Sequence, residues 1–393
     1  MTAAPPLPPD RADGESSFVH RLLILSEALS RIKPVRLLPA WLALIALAAW
    51  PWQAGQRLSV LGLTGLLLTV DGVSLALLPR TRRSWGPVTP PLLGLALVRV
   101  GLSWLLALPH HLPALASLQV LLSAVALYAT WIEPFAVRLR HLSLTHPRFD
   151  PPLRALHVSD LHFEHLSLRE EKLLSWLSQL QPDLLLLTGD YMNRSALYDP
   201  AARDEARRFL TRLQAPLGVY AVTGSPVVDD PALVPACFAN LPHIRWLDDE
   251  RVPLPGYPEV WLLGVRCTYD FERDVAALRR LMAGLPESAA TLLLYHTPDL
   301  MPEAARLGVS LYLAGHTHGG QIALPLFGPL FASSRWGLKY ARGLFHEGKT
   351  TLYVSRGLGV EGLGAPRARF CAPPELGVWE LTVRANRGMV SLD

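Results

Sequence analysis

Histidine and aspartate recur at the ends of apolar runs in the second half of this 393-residue chain. "LRALHVSDLH" delivers Asp160 and His162, and "PDLLLLTGDYMN" delivers Asp190. "TLLLYHTPD" delivers His296, and "LYLAGHTHGGQ" delivers His316 and His318. A fifth run, "GVYAVTGSPVVDD", ends in Gly224-Ser225-Pro226, with Asp229 and Asp230 behind it. Carboxylate oxygen and imidazole nitrogen together form the donor set of divalent Mn, Fe, Co or Zn. Asp-x-His or His-x-His at a strand end can aim two donors at neighbouring positions. Gly315, Gly319 and Gly320 allow the sharp backbone turn this needs. Two cations sharing a carboxylate acidify a water and clamp phosphoryl oxygens. Taken alone, an Asp-x-His pair is more often a turn with a satisfied histidine. The ordered set, Asp-x-His, Gly-Asp, a terminal His and Gly-His-x-His, does not arise readily by chance.

Such groups work together only if the strands carrying them share one sheet edge, since functional residues of α/β sheets gather beyond the carboxyl ends of strands. From about residue 135 strand-like and helical stretches alternate. Strands are expected at 153–160, 182–190, 260–266, 291–296, 309–315, 350–355 and 376–383. Helices are expected at 169–180 and 199–214, the second with Asp199 as cap and Pro200 in its first turn. This alternation predicts an α/β domain.

The first third has another texture. Half of all residues are hydrophobic and 18% are charged, and the excess lies before residue 135. Residues 1–15 read as disordered. In the next segment Phe18, Leu22, Leu25, Leu29 and Ile32 fall on one helix face. That helix lies on a membrane surface or packs on the protein itself. Four apolar runs follow, at 36–52, 58–79, 90–109 and 113–132, the first short and containing Pro39. Each approaches or exceeds the length that crosses about 30 Å of hydrocarbon. Trp50, Trp52, Trp104 and Trp131 stand near their ends, as interfacial aromatics do. Arginine is dense before run one, between runs two and three (Arg80, Arg82, Arg83) and after run four. The alternate loops carry only Arg57 and the pair His110/His111. The positive-inside rule then puts both termini in the cytoplasm. Asp71 and Arg99, inside runs two and three, could pair within the bundle or serve transport.

Other classes are disfavoured. Only four lysines occur, and no basic block is interleaved with aromatics, so nucleic acid is not an expected partner. Cys237, Cys267 and Cys371 are odd in number and widely spaced, which gives neither a disulfide framework nor a zinc knuckle.

The ordered set resembles the calcineurin-like metallophosphoesterases, and more narrowly a bacterial branch whose members often carry N-terminal membrane segments. The resemblance runs from about 153 to 383 and includes "PLGVYAVTG", "LLLYHTPDL", "LAGHTHGGQI", "LYVSRGLG" and "RFCAPPEL". It implies a four-layer α/β/β/α sandwich with a dimetal site at one rim, here preceded by an all-α bundle of four transmembrane helices. The expected division is 1–35 tail and surface helix, 36–132 membrane region, 133–152 connector, and 153–393 phosphoesterase domain. Carried over residue by residue, the resemblance implies a first metal on Asp160, His162 and His318. Asp190 would bridge, and His296 and His316 would hold the second metal.

One motif departs from the family. Where the family has Gly-Asn-His, this chain has Gly224-Ser225-Pro226. The family's Asn is a second-metal ligand and its His a general acid. Ser225 could offer a weaker hydroxyl ligand, whereas Pro226 has no proton to give. Asp229, Asp230 and Asn193 either reach the site or are ordinary turn residues. Arg356, Arg367 and Arg369 either grip phosphate or stabilise the fold. Two readings stand at this point. One is a membrane-anchored cytoplasmic phosphohydrolase with a looser second metal, acting on phosphodiester or pyrophosphate bonds of a lipid- or nucleotide-linked substrate. The other is a degenerate, non-catalytic or mononuclear binding module.

Overall fold

The computed structural model describes residues 25–26, 28–108, 111–362 and 367–383. The N-terminal tail, most of the expected surface helix and His110 lie outside the described residues. The chain divides into two compact units, one of residues 1–132 with 362–368, the other of 133–361 with 369–393.

The first unit is helical: α1 Leu38–Ala49, α2 Ala54–Leu77, α3 Thr89–Ala107 and α4 Leu112–Leu127. Prolines stand in the first turns of α1, α3 and α4, where the missing N–H costs nothing. Among the described residues, three helices are long and apolar enough to cross a membrane: Ala54–Leu77, Thr89–Ala107 and α4 with its continuation, Leu112–Phe135. The first expected run yields only a shorter apolar helix, Pro34–Ala49. Beside two small apolar clusters the unit buries several polar groups, and it exposes large apolar side chains. Thr64, Asp71, Arg99, Ser103 and Gln119 are buried, while Leu58, Leu66, Leu105 and Leu108 are exposed. Arg99 Nη2 meets Asp71 Oδ2 at 2.5 Å, and Nη1 meets Gln119 Oε1 at 2.7 Å. Ser123 closes the network by donating to Asp71 Oδ1 at 2.8 Å. The Asp71–Arg99 pair is therefore present, with polar support.

The second unit holds two six-stranded mixed sheets. The first contains β1 Arg138–Thr145, β2 Leu153–Val158, β3 Leu184–Leu187, β4 Val219–Ala221, β5 Ile244–Trp246 and β14 Glu375–Thr382, in the order β1-β14-β2-β3-β4-β5. The second contains β6 Glu250–Leu254, β7 Tyr257–Gly264, β8 Ala290–Leu294, β9 Leu311–Ala314, β12 Gly343–Glu347 and β13 Thr350–Val354, in the order β12-β13-β9-β8-β7-β6. A short hairpin of β10 Ala323–Leu324 and β11 Gly328–Pro329 stands apart from both. The connector expected at 133–152 carries β1, which pairs in parallel with β14.

Three apolar cores hold this unit. One joins the first sheet to α5 Leu168–Leu180, α6 Pro200–Leu210 and α7 Val234–Phe238. A second takes residues from both sheets, Leu186 and Trp379 from the first, Leu262, Leu292 and Leu313 from the second. The third joins the second sheet to α8 Phe271–Met282 and α9 Met301–Leu307. β3, β8 and β9 are buried on both faces, which is why they read as unbroken apolar runs. The helices begin where their caps dictate. Ser167 and Glu170 form a capping box on α5, Asp199 caps α6 and Asp270 caps α8.

Candidate metal centre

β2, β3, β4, β8 and β9 all end at one edge, and the residues just past them meet there. Asp160, His162 and His318 each place a donor atom within 4.8 Å of the others. Asp190, His296 and His316 do the same, and so do His162, Asp190 and Glu361. All six residues expected to be ligands are thus brought together. Asp190 lies between the two groups. Its Oδ1 is 3.3 Å from His296 Nε2, and its Oδ2 is 3.6 Å from His162 Nε2. His162 Nε2 and His318 Nε2 face each other at 3.0 Å.

The backbone is bent to achieve this. Asp160, His162, Asp190, His316 and His318 all have positive φ, between 42° and 69°. Such conformations cost on the order of 1 kcal/mol or more each for a side chain with a Cβ. They persist because the loops are tied to one another. Asp160 N–H donates to Gly189 O, His162 N–H to Asp190 O, and His316 N–H to Asp160 Oδ1 at 2.9 Å. Glycine is required where the loops touch. A Cβ on Gly224 would collide with the Asp190 carboxylate, and one on Gly315 with Ser159 and Asp160.

The ring orientations suit ligation. His296 Nδ1–H donates to Thr188 O at 2.7 Å, which turns Nε2 toward Asp190. Burial, the nearby His162 and the Arg369 guanidinium hold His318 well below its ordinary pKa, so the ring stays neutral. Burial raises Asp160. Burial also acts to raise Asp190, but the positive charge drawn to His296 and His162 outweighs it and holds Asp190 low. For His296, burial opposes the charge, yet Asp190 and Asp160 win and push it up to about 10. The cluster draws in positive charge. Asp160 Oδ2 and His162 Nδ1 are buried with no hydrogen-bond partner. Unpartnered donors, two ring nitrogens pointed at each other and two buried carboxylates fit divalent cations.

Ser225 stands within the second group. Its Oγ is 3.1 Å from His296 Nε2 and 3.3 Å from His316 Nδ1, and its N–H donates to Asp190 Oδ1 at 2.7 Å. Asp229 donates no ligand atom to either group. Instead it accepts the N–H groups of Asp190 (2.9 Å), Tyr191 (2.9 Å) and Gly224 (2.6 Å), and so fixes the two loops that flank Asp190. Burial, and then the charge of Asp190, push Asp229 up to about 7. Asn193 and Asp230 serve turns, receiving Ser195 N–H and Ala232 N–H. Arg369 is wholly buried and donates to the carbonyls of Gly359, Arg356 and Ala372, with Nη2 3.2 Å from His318 Nδ1. Arg356 is paired with Glu375 at 3.1 Å, and Arg367 is buried. Glu361, whose Oε2 lies 3.9 Å from His162 Nε2, has no counterpart in the sequence motifs. Its only sequence signal is a position shortly after the glycines of "SRGLGVEG".

The family model described as Calcineurin-like phosphoesterase matches residues 153–234. The uncharacterised metallophosphoesterase YkuE of Bacillus subtilis is 30% identical over 270 residues, covering 65% of this chain and 88% of its own. The chain belongs to the calcineurin-like phosphoesterase family. It is a metallophosphoesterase-type hydrolase. Two further relatives carry functional names. UDP-2,3-diacylglucosamine pyrophosphatase LpxG of Chlamydia trachomatis is 27% identical, covering 66% of this chain and 95% of its own. Phosphodiesterase YaeI of Escherichia coli is 30% identical, covering 53% and 76%.

Proposed function

We propose that this chain is a membrane-anchored, metal-dependent hydrolase of phosphodiester or pyrophosphate bonds in a lipid-linked or nucleotide-linked substrate. The observation that carries this is Asp190, whose two carboxylate oxygens face different ligand groups. In this reading Asp160, His162 and His318 would hold one cation and His296 and His316 the other, with Asp190 shared between the two groups and the Ser225 hydroxyl standing in for a stronger ligand. Divalent cations held there supply the charge that acidifies a water and neutralises phosphoryl oxygens. The three apolar cores support an α/β/β/α layering, with the site at its rim.

The leaving group follows from what residue 226 lacks. A general acid contributes about 10²–10⁴ in rate when an alkoxide departs. Pro226 has no proton to give, so favoured substrates expel a group already stable as an anion. A phosphate or nucleotide qualifies and a simple alcohol does not. LpxG is named as a pyrophosphatase of UDP-2,3-diacylglucosamine, which is the bond type this argument favours.

Orientation follows from loop charge. Arg80, Arg82 and Arg83 follow α2, while Arg57 stands in its first turn and His111 just before α4. Holding the arginine loop in the cytoplasm puts the end of α4, and hence the second unit, on that side. This holds whether or not Pro34–Ala49 also crosses.

The test is hydrolysis by detergent-purified protein with Mn²⁺. A bis-aryl phosphodiester and a nucleotide-linked pyrophosphate should react at least about 100-fold faster than glycerol phosphate. Equal rates would overturn the leaving-group argument. Retained metal with no turnover on any of them would make the domain a binding module.

A further inference from the structure

The turn bearing His316 and His318 runs directly into the β10–β11 hairpin, whose tip is apolar and exposed. Leu326 is 103% and Phe327 84% exposed, and Leu324, Leu330 and Phe331 are exposed as well. The base of the hairpin is fixed. Ala323 is buried, its N–H donates to Phe370 O, and Phe370 N–H donates to Gln321 O. The apolar tip is therefore held firmly on the loop that carries two of the candidate ligands.

Among the described residues, none covers Leu326. Leu326 has φ 68°, a left-handed conformation that is uncommon for leucine and easy for glycine or asparagine. A residue that is both strained and fully solvated gains nothing from folding, so its reason is a contact outside the fold. Residues 321–345 hold Arg335, Lys339 and Arg342 and no acidic residue, with Lys339 paired to Glu347 and Arg342 turned to Cys371 O, so Arg335 is the exposed cation beside the exposed Trp336. Apolar tip, tryptophan and cation match a segment seated at an anionic lipid headgroup boundary. The second unit begins at Glu133, inside the apolar helical stretch Leu112–Phe135. No linker intervenes, so a bilayer crossed by that stretch is presented to the unit at high effective concentration.

We propose that the 322–331 hairpin inserts Leu326 and Phe327 into the headgroup–acyl boundary of the bilayer and so presents the His316/His318 turn to substrate held in the membrane. This rests on the membrane-anchored reading above.

The test uses the full chain with Leu326→Cys in a Cys371→Ser background, labelled with an environment-sensitive fluorophore. It is reconstituted into phosphatidylglycerol-containing vesicles, with Glu287→Cys as the labelled control. Expected are a blue shift and loss of most emission at 326 when nitroxide-labelled lipids are included, with little change at 287. Phe327→Glu should slow hydrolysis of a diacylated nucleotide diphosphate in vesicles about tenfold relative to a short soluble diester. A chain that floats with vesicles but shows no quenching at 326 overturns the proposal. So does a blue shift that depends on protein concentration and ignores the nitroxide, which would assign the tip to a second copy. A chain that does not float with vesicles fails the membrane reading itself, a separate result.

Discussion

The hydroxyl of Ser225 stands 3.1 Å from Nε2 of His296. That places a weak neutral oxygen where the second ligand group is otherwise served by Asp190, His296 and His316. Ser225→Asn should tighten the weaker cation about tenfold, and Ser225→Ala should loosen it similarly, as judged by metal titration of the purified protein. Pro226→His, made with Ser225→Asn, should raise hydrolysis of alkyl monoesters by about 10²-fold while leaving activated diesters nearly as they were.

Asp229 acts through other residues. It receives three backbone N–H groups around Asp190 and Gly224. Asp229→Ala leaves those donors buried and unpaired, and should weaken cation binding by about 10–100-fold. Metal content read beside the melting temperature separates this from unfolding. Recovery of metal content at high Mn²⁺ in a folded variant is the expected sign of a positioning residue.

Chelation should destabilise the second unit. Asp160 and Asp190 are buried close together, and a bound cation offsets their charge. Removing metal with a chelator should lower the thermal transition, and adding Mn²⁺ back should restore it, increasingly with concentration. Asp190→Ala should abolish both the response and the activity.

In the helical unit, Asp71→Ala leaves Arg99 buried without its carboxylate partner. A loss of about 3–5 kcal/mol is expected, seen as a lower melting temperature in detergent. Replacing both residues by leucine should recover much of the loss, because the uncompensated charge is gone.

His157 should give the second unit an acid-sensitive term. It is buried against Thr188 Oγ1 at 2.8 Å, and burial lowers its pKa from 6.5 to about 3. Between those values the unfolded chain binds a proton that the folded chain does not. Its contribution is whole above 6.5 and lost as pH falls toward 3. From about pH 7.5 to about pH 5, wild type should lose about 2 kcal/mol more than His157→Gln in denaturant unfolding.

The candidate site was largely legible because its donors cluster at the ends of strands too apolar to be anything but buried. Asp160, Asp190, His296 and His318 each follow such a run. What escaped was non-local. β1 reads as alternating Arg and Leu and is half-exposed, and its partner β14 lies at the other end of the chain. No local pattern announces that pairing. Asp229 looks like a turn residue because it does what turn aspartates do, accepting backbone N–H, but for a distant loop. Glu361 reaches His162 only through the closing of the fold. The first apolar run, short and broken by Pro39, gives a helix that stops at Ala49, before Pro51.

The left-handed backbone at Asp160, His162, Asp190, His316 and His318 has an evolutionary consequence. Each of these positions is filtered twice, once for its donor atom and once for its torsion angle. Asparagine passes the second filter and half-passes the first, whereas valine or isoleucine fails both. Drift at the rim should therefore run through asparagine before anything else. A variant library sorted for folded protein alone, with no demand for activity, would still show branched residues missing from these five places.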